Sequence, residues 1–171
     1  MKIDAESFAT MAHKGQKYGD EDFIVHPRKV VDILAKYKEY YTPYDYKVLV
    51  DAAWLHDVLE DTKFTWGDIQ KQFGEGVCRL VYAVTNEYGE NRKEKWENTC
   101  SKVLDHPLAV HLKLIDRIAN VQSAVVNGKF RRMYLREHKD FVLSLMSTIV
   151  RVPHLWCLYF DTIERLREME E

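Results

Sequence analysis

What this sequence is short of narrows it before any motif does. Its three cysteines, Cys78, Cys100 and Cys157, are an odd number without paired spacing. That argues against a disulfide frame or a zinc knuckle and fits reduced thiols in a cytosolic protein. With only 7 glycines and 4 prolines, and no repeat or low-complexity tract, the chain is neither fibrous nor disordered in type. No apolar run approaches the length of a membrane span. The start, Met1-Lys2-Ile3-Asp4-Ala5-Glu6, lacks the apolar core of a signal peptide. A cytoplasmic protein with no membrane partner is expected. Charge of one sign is also missing: 25 Lys and Arg stand against 27 Asp and Glu, a net of -2. There is thus no strong nucleic-acid signal, and an anionic substrate must be met by local basic clusters. No stretch alternates at period two long enough to demand a sheet.

What is present is helical periodicity. At 171 residues, 46% of them apolar, the chain is expected to form one domain with a sizeable core. Helices are expected over 4–18 with Asp4 as N-cap, 27–38, 45–60, 65–73, 75–87, 91–104, 107–126, 130–151 and 153–169. The fold class is therefore all-α, eight or nine helices in a single compact bundle spanning 1–171. Residues 18–25 read as a loop. Thr65-Trp66-Gly67-Asp68 resembles a capping box with Asp in place of Glu. The charged stretch 91–104 is either a solvated helix face or a basic flap over an anionic ligand.

The densest chemistry is Trp54-Leu55-His56-Asp57-Val58-Leu59-Glu60-Asp61-Thr62, at the end of an apolar run. A continuous helix would set His56 over Glu60 and Asp57 over Asp61. Burying such a face needs compensating charge, and a divalent cation supplies it. The His56-Asp57 pair offers one imidazole and one carboxylate to a single ion, with Glu60 and Asp61 one turn away. His26, just before Pro27, is either a capping or core histidine or a further ligand. Asp116 sits in the apolar helix 107–126 on a polar face with Lys113, Arg117 and Asn120. It is either an ion-pair partner or the missing carboxylate ligand. His13 reads alone as a hydrogen-bonded histidine. His106, His111, His138 and His154 have no partner at ligand spacing.

The order His26, His56-Asp57, Asp116 is similar to the signature of the HD phosphohydrolase superfamily. The likeness goes further. His13-x-Gly15-Gln16, Ile24-x-His26-Pro27, Ala53-x-Leu55-His56-Asp57-Val58-x-Glu60-Asp61-Thr62, Leu80-Val81-x-x-Val84-Thr85 and Lys113-Leu114-x-Asp116-Arg117-x-x-Asn120 resemble the hydrolase domain of RelA/SpoT homologues. The small stand-alone alarmone hydrolases are the nearest likeness, over residues 5–125, with 130–171 completing the bundle. No synthetase or regulatory segment is expected after residue 171.

The resemblance implies one Mn²⁺ held by His26, His56, Asp57 and Asp116, and a small-molecule nucleotide substrate. It implies removal of pyrophosphate from the ribose 3′ position of ppGpp or pppGpp, with Glu60 and Asp61 activating or orienting water. Asn120 falls in the nucleotide pocket. Lys17, Lys113 and Arg117 are placed to hold phosphate, and His13 lies beside them. The chain also departs from the family. Lys17-Tyr18 replaces its Arg-Lys pair, Asp22-Phe23 replaces Pro-Tyr, and the loop to His26 is one residue shorter. Tyr18 is therefore expected to stack on the base, which opens adenine alarmones such as ppApp. The same metal site would also serve a nucleotidase, an NADPH phosphatase or an enzyme trimming pyrophosphate from tRNA ends. A non-catalytic nucleotide-binding domain is the third reading.

Overall fold

The computed structural model of the protein describes residues 3–169. The chain order is α1 (Ala5–Ala12), a two-stranded hairpin β1 (Lys17–Tyr18) and β2 (Glu21–Asp22), α2 (Val25–Ala35), α3 (Pro43–Leu55), α4 (Val58–Asp61), α5 (Trp66–Phe73), α6 (Glu75–Val84), α7 (Arg92–Asp105), α8 (Ala109–Asn127), α9 (Arg131–Leu145) and α10 (Pro153–Glu168). Short 3₁₀ turns lie at Lys38–Tyr40 and Met146–Thr148. Nine of the helices run two turns or more among the described residues; α4 is a single turn. The all-α expectation holds, with one small hairpin added.

Helix α8 organises the packing: α10, α2, α6, α7 and α9 all lie against it. Leu112, Leu114, Ile115 and Ile118 are essentially inaccessible to water. At about 2 kcal/mol per such side chain, this stripe anchors the helix firmly enough to keep Asp116 largely out of water on its other face. Opposite it, α10 contributes Leu155, Trp156, Tyr159, Ile163 and Leu166 to the same cluster. Ala52 and Ala53 are fully buried on α3, where small side chains admit the neighbouring helices closely.

Local signals set several boundaries. Asp4 caps α1 by accepting from the Ser7 N–H at 2.8 Å. Thr65 and Asp68 form a reciprocal capping box on α5. Other boundaries differ from expectation. The first helix ends at Ala12 rather than 18, because the polar segment after it has no apolar face to bury. Gly15 (φ +86°) and Gly19 (φ +67°) then take left-handed conformations open to glycine. The hairpin that follows pairs Lys17 with Asp22 and Tyr18 with Glu21. The central helix expected over 45–60 is broken at His56-Asp57, and the one expected over 130–151 ends at Leu145 in a 3₁₀ turn.

Candidate metal centre and cavity

The break in the central helix shapes the site. His56 is the C-cap of α3, and Asp57 takes φ -95°, ψ -4° before α4 begins. That bridge conformation recurs at active sites. In an unbroken helix two successive side chains diverge around the axis; here the kink turns both inward, and His56 Nε2 lies 3.0 Å from Asp57 Oδ2. The His56 ring is oriented from behind, since its Nδ1 donates to the Ala53 carbonyl at 2.8 Å. This leaves Nε2 as the atom facing the site.

Two further helices aim donors at the same point. His26, in the first turn of α2, places Nε2 3.1 Å from His56 Nε2 and 3.6 Å from Asp57 Oδ2. Asp116, midway along α8, sets Oδ1 3.1 Å from His26 Nε2 and 3.7 Å from His56 Nε2. Both histidines are buried. Two imidazole nitrogens so close repel unless a proton or a cation lies between them. Metal bonds of about 2.1 Å put neighbouring donors about 3.0 Å apart at right angles and about 3.4 Å apart at tetrahedral angles. The observed spacings fall around those values. Among the described residues, His26, His56 and Asp57 form the group whose donor atoms all lie within 4.8 Å of one another and can hold a metal ion. Asp116 lies beside this group rather than within it, its Oδ1 facing both histidines.

The charges around this point are strongly coupled. Burial would lower the His56 pKa, but the Asp57 and Asp116 carboxylates and the Ala53 carbonyl outweigh it and raise it to about 9. Burial works in the opposite sense on Asp57, where His56 and His26 prevail and hold the carboxyl below its usual range. Asp116 is held low in the same way, by its bond to His26 and the nearby His56 and Lys113. Asp61 goes the other way. Partial burial, with the negative Asp57 and Glu60 close by, raises it to about 6.

Above the quartet lies a cavity of about 330 Å³, in the range of small-molecule sites. One wall is acidic. Glu60 accepts hydrogen bonds from both the backbone N–H and the side-chain amide of Asn86, each at 3.1 Å. Asp61 presents its carboxylate to the cavity, and its carbonyl accepts from Gln16 Nε2 at 2.7 Å. The facing wall is basic, with Lys113 and Arg117 from α8 and Arg92, Lys93 and Lys95 from α7. Arg117 is clasped by Glu137 of α9 at 2.8 Å and lies under the Tyr134 and Phe141 rings, with centroids 4.6 and 5.1 Å from its guanidinium carbon. Arg92 pairs with the same Glu137 at 2.7 Å. Lys113 donates to the Val84 carbonyl at 3.1 Å.

Tyr18 and Asn120 also line the cavity, but their polar atoms are committed within the protein. The Tyr18 ring stacks on His26, and its hydroxyl donates to Asn120 Oδ1 at 3.0 Å. One face of the Tyr18 ring is therefore covered by His26, while the residue keeps its place in the cavity lining. Lys17 and His13 stand outside the cavity lining. The Lys17 side chain is 60% exposed and pairs with Asp22 at 2.7 Å across the hairpin. Strand alternation turns it away from the face that Tyr18 presents inward. His13 is buried, stacked on Phe23, with Nδ1 bonded to Gln16 Oε1 at 2.8 Å. It thereby supports Gln16, which in turn holds the Asp61 turn.

Sequence reasoning missed Asn86 and Glu137. Asn86 directly follows the Leu80-Val81-x-x-Val84-Thr85 likeness, which stops one residue short of it. Glu137 meets arginines 20 and 45 residues away. Arg92, Lys93 and Lys95 fall in the charged stretch 91–104, where the flap alternative had anticipated cations near an anionic ligand.

Known proteins resemble this chain in sequence and fold. The family model described as HD domain matches residues 5–158. A guanosine-3′,5′-bis(diphosphate) 3′-pyrophosphohydrolase of Aquifex aeolicus is 35% identical over 133 residues, covering 75% of this chain and 18% of that protein. The enzyme of the same description called MESH1, from Drosophila melanogaster, is 31% identical over 124 residues, covering 70% of this chain and 67% of its own length. This chain therefore spans under a fifth of the bacterial relative but two thirds of the fly one. A solved structure described as a metazoan ortholog of SpoT that hydrolyzes ppGpp superposes with a TM-score of 0.65 at 24% identity, over 96% of this chain and 90% of that one. At that identity the superposition speaks for the fold.

Proposed function

The chain belongs to the HD-domain family, and from that premise we propose that it is a metal-dependent 3′-pyrophosphohydrolase of guanosine alarmones, releasing pyrophosphate from the ribose 3′ position of ppGpp or pppGpp. The relatives from Aquifex aeolicus and Drosophila melanogaster carry that activity in their names. The observation that carries the reading is the convergence of His26, His56, Asp57 and Asp116 from three separate parts of the chain on one point beneath a basic-walled cavity. One core cluster running from Ala5 to Leu166 supports taking the whole span as a single hydrolase domain. Free cysteines and the absence, among the described residues, of any helix long and apolar enough to cross a membrane agree with a cytoplasmic site of action.

In this reading the four donors hold one divalent ion. Mixed imidazole and carboxylate ligation suits Mn²⁺. Such an ion, when bound, supplies Lewis acidity toward a phosphoryl oxygen and toward water. The remaining chemistry belongs to side chains. Glu60, fixed by Asn86, orients a water and Asp61 accepts its proton, or the two exchange these roles. Attack on the phosphorus joined to O3′ puts the water oxygen on the departing pyrophosphate and breaks the O3′–P bond, and O3′ takes up a proton from Asp61 or solvent to become the 3′ hydroxyl. Lys113 and Arg117, with Lys95 and Arg92 on the same basic wall, balance the phosphate charge. Lys17 has no part in it, being neutralised by Asp22 on the outside of the hairpin.

The test is the purified protein with Mn²⁺ against ppGpp, pppGpp, ppApp, NADPH, 5′-mononucleotides and tRNA with pyrophosphorylated ends. The expected result is pyrophosphate from the alarmones, abolished by chelation. Orthophosphate from NADPH or a mononucleotide, with the alarmones left intact, would assign the site to another HD phosphohydrolase.

A further inference from the structure

We propose that Tyr18 is a positioning residue of the metal centre, bracing one histidine donor with its ring and one carboxylate donor through its hydroxyl. The inference rests on the metal-binding reading of the quartet and is independent of which nucleotide the cavity takes.

The geometry is a short relay. The Tyr18 and His26 rings are nearly parallel, 15° apart with centroids at 5.0 Å. The imidazole is thus restrained against rotation on the face that Tyr18 covers. Restraint matters here because, among the described residues, His26 Nδ1 has no hydrogen-bond partner. The carbonyl or carboxylate that usually orients a ligating histidine from behind is missing. His56 has one, the Ala53 carbonyl; for His26 the flat contact with Tyr18 takes its place.

The hydroxyl acts on the other side of the quartet. It donates to Asn120 Oδ1 at 3.0 Å, which fixes the amide with Nδ2 pointing back along α8. Nδ2 then donates to Asp116 Oδ1 at 2.7 Å and to the Asp116 carbonyl at 3.1 Å. Oδ1 is the same oxygen that faces His26 and His56. Without the hydroxyl, the Asn120 amide is free to turn over and present its oxygen to a carboxylate, which would push Asp116 out of line.

The hairpin that carries Tyr18 is tied down to match. Lys29, one turn along α2 from His26, places its ammonium 5.5 Å from the centre of the Tyr18 ring and bonds Ser123 Oγ at 3.3 Å. Phe23 meets Tyr18 edge-on, with centroids 6.5 Å apart. The two-residue strands thus serve to hold one aromatic ring against α2 and α8.

The experiment measures Mn²⁺ binding to the full chain by calorimetry and by the loss of the free-ion electron paramagnetic signal, for the wild type, Tyr18→Phe and Tyr18→Leu. Losing an outer partner of a metal ligand weakens affinity about 10- to 100-fold. Tyr18→Phe, which keeps the ring but not the relay, is expected about tenfold weaker, and Tyr18→Leu weaker again. The metal-free melting temperature of Tyr18→Phe should stay at the wild-type value, which separates positioning from folding. Wild-type Mn²⁺ affinity in Tyr18→Phe would overturn the proposal, and a change confined to nucleotide KM would make Tyr18 a substrate contact instead. If the wild type itself binds no Mn²⁺, it is the metal reading of the quartet that fails.

Discussion

Glu60 and Asn86 meet in a two-point contact: both carboxylate oxygens accept from the same residue, one from its backbone N–H and one from its side-chain amide. The pair joins α4 to the loop after α6 and holds the carboxylate as an acceptor at the cavity edge. Asn86→Ala deletes only the side-chain half of that contact. The expected effect is a fall in kcat of about three- to tenfold with KM little changed, corresponding to about 1 kcal/mol for one charge-assisted hydrogen bond at a solvated site. Asn86→Asp should fall further, because it opposes a second carboxylate to Glu60. Steady-state kinetics on ppGpp decide it; an unchanged kcat in both variants would remove Glu60 from the chemistry.

The quartet predicts a particular pH behaviour. In the metal-free protein His56 is raised from 6.5 to about 9 by Asp57 and Asp116. Its contribution to stability is therefore complete below pH 6.5 and is lost as pH rises through about 9. The metal-free melting temperature should fall across that window, while protein loaded with Mn²⁺ should not follow. Metal binding must displace the His56 proton, so apparent Mn²⁺ affinity should climb over the same range, with proton release visible in calorimetry run in buffers of different ionisation enthalpy. Affinity independent of pH would contradict the assignment of His56 as a donor.

Glu137 holds Arg117 and Arg92 together from a third helix. Glu137→Gln leaves the Arg117 guanidinium beneath Tyr134 and Phe141 without a counter-charge, its side chain only 11% exposed. Breaking a buried pair from one side destabilises by 3–5 kcal/mol in full, and the partial exposure of Glu137 reduces this to about 2 kcal/mol. For a chain of this size that is a melting temperature lower by about 4 to 8 °C. Thermal denaturation checks it.

Gly89 is held in close approach to the start of α7. A methyl group there would lie 2.5 Å from the Lys95 amide nitrogen and 2.9 Å from the Glu94 carbonyl carbon, both backbone atoms that cannot rotate away. Gly89→Ala should therefore displace the first turn of α7, which carries Arg92, Lys93 and Lys95 at the cavity. Overpacking of this kind destabilises by about 1–3 kcal/mol. The expected outcome is faster amide exchange in residues 92–96 and a raised KM for the nucleotide. Wild-type exchange in that turn would show that the backbone gives way elsewhere.

How far the sequence could be read depended on whether the determining contacts were local. Asp4 and Thr65 cap their helices through neighbours three residues away, so both signals are visible in the string. The apolar stripes of α8 and α10 repeat often enough to locate the core. The break at His56-Asp57 left no such trace, because the helical pattern runs on through Leu59 while the chain turns at Asp57. The hairpin was equally hidden: two-residue strands are too short to show a period, and pairing of Lys17 with Asp22 reads as loop chemistry. Tyr18 was legible as a cavity residue but not as a partner of His26, since the stacking joins two elements that only the fold brings together. Glu137 is the extreme case, its role resting wholly on inter-helical distances.

The wide separation of the four donors along the polypeptide has a further meaning under the proposed function. An ion bound there would fasten α2, the α3–α4 junction and α8 to one another, and so act as a non-covalent crosslink across most of the chain. Ligation of the native form alone adds about 2.7 kcal/mol when free metal stands at 100 times its dissociation constant. The supply of the cation would then govern the survival of the folded molecule as well as its turnover, and a cell short of that metal would lose the protein along with the activity.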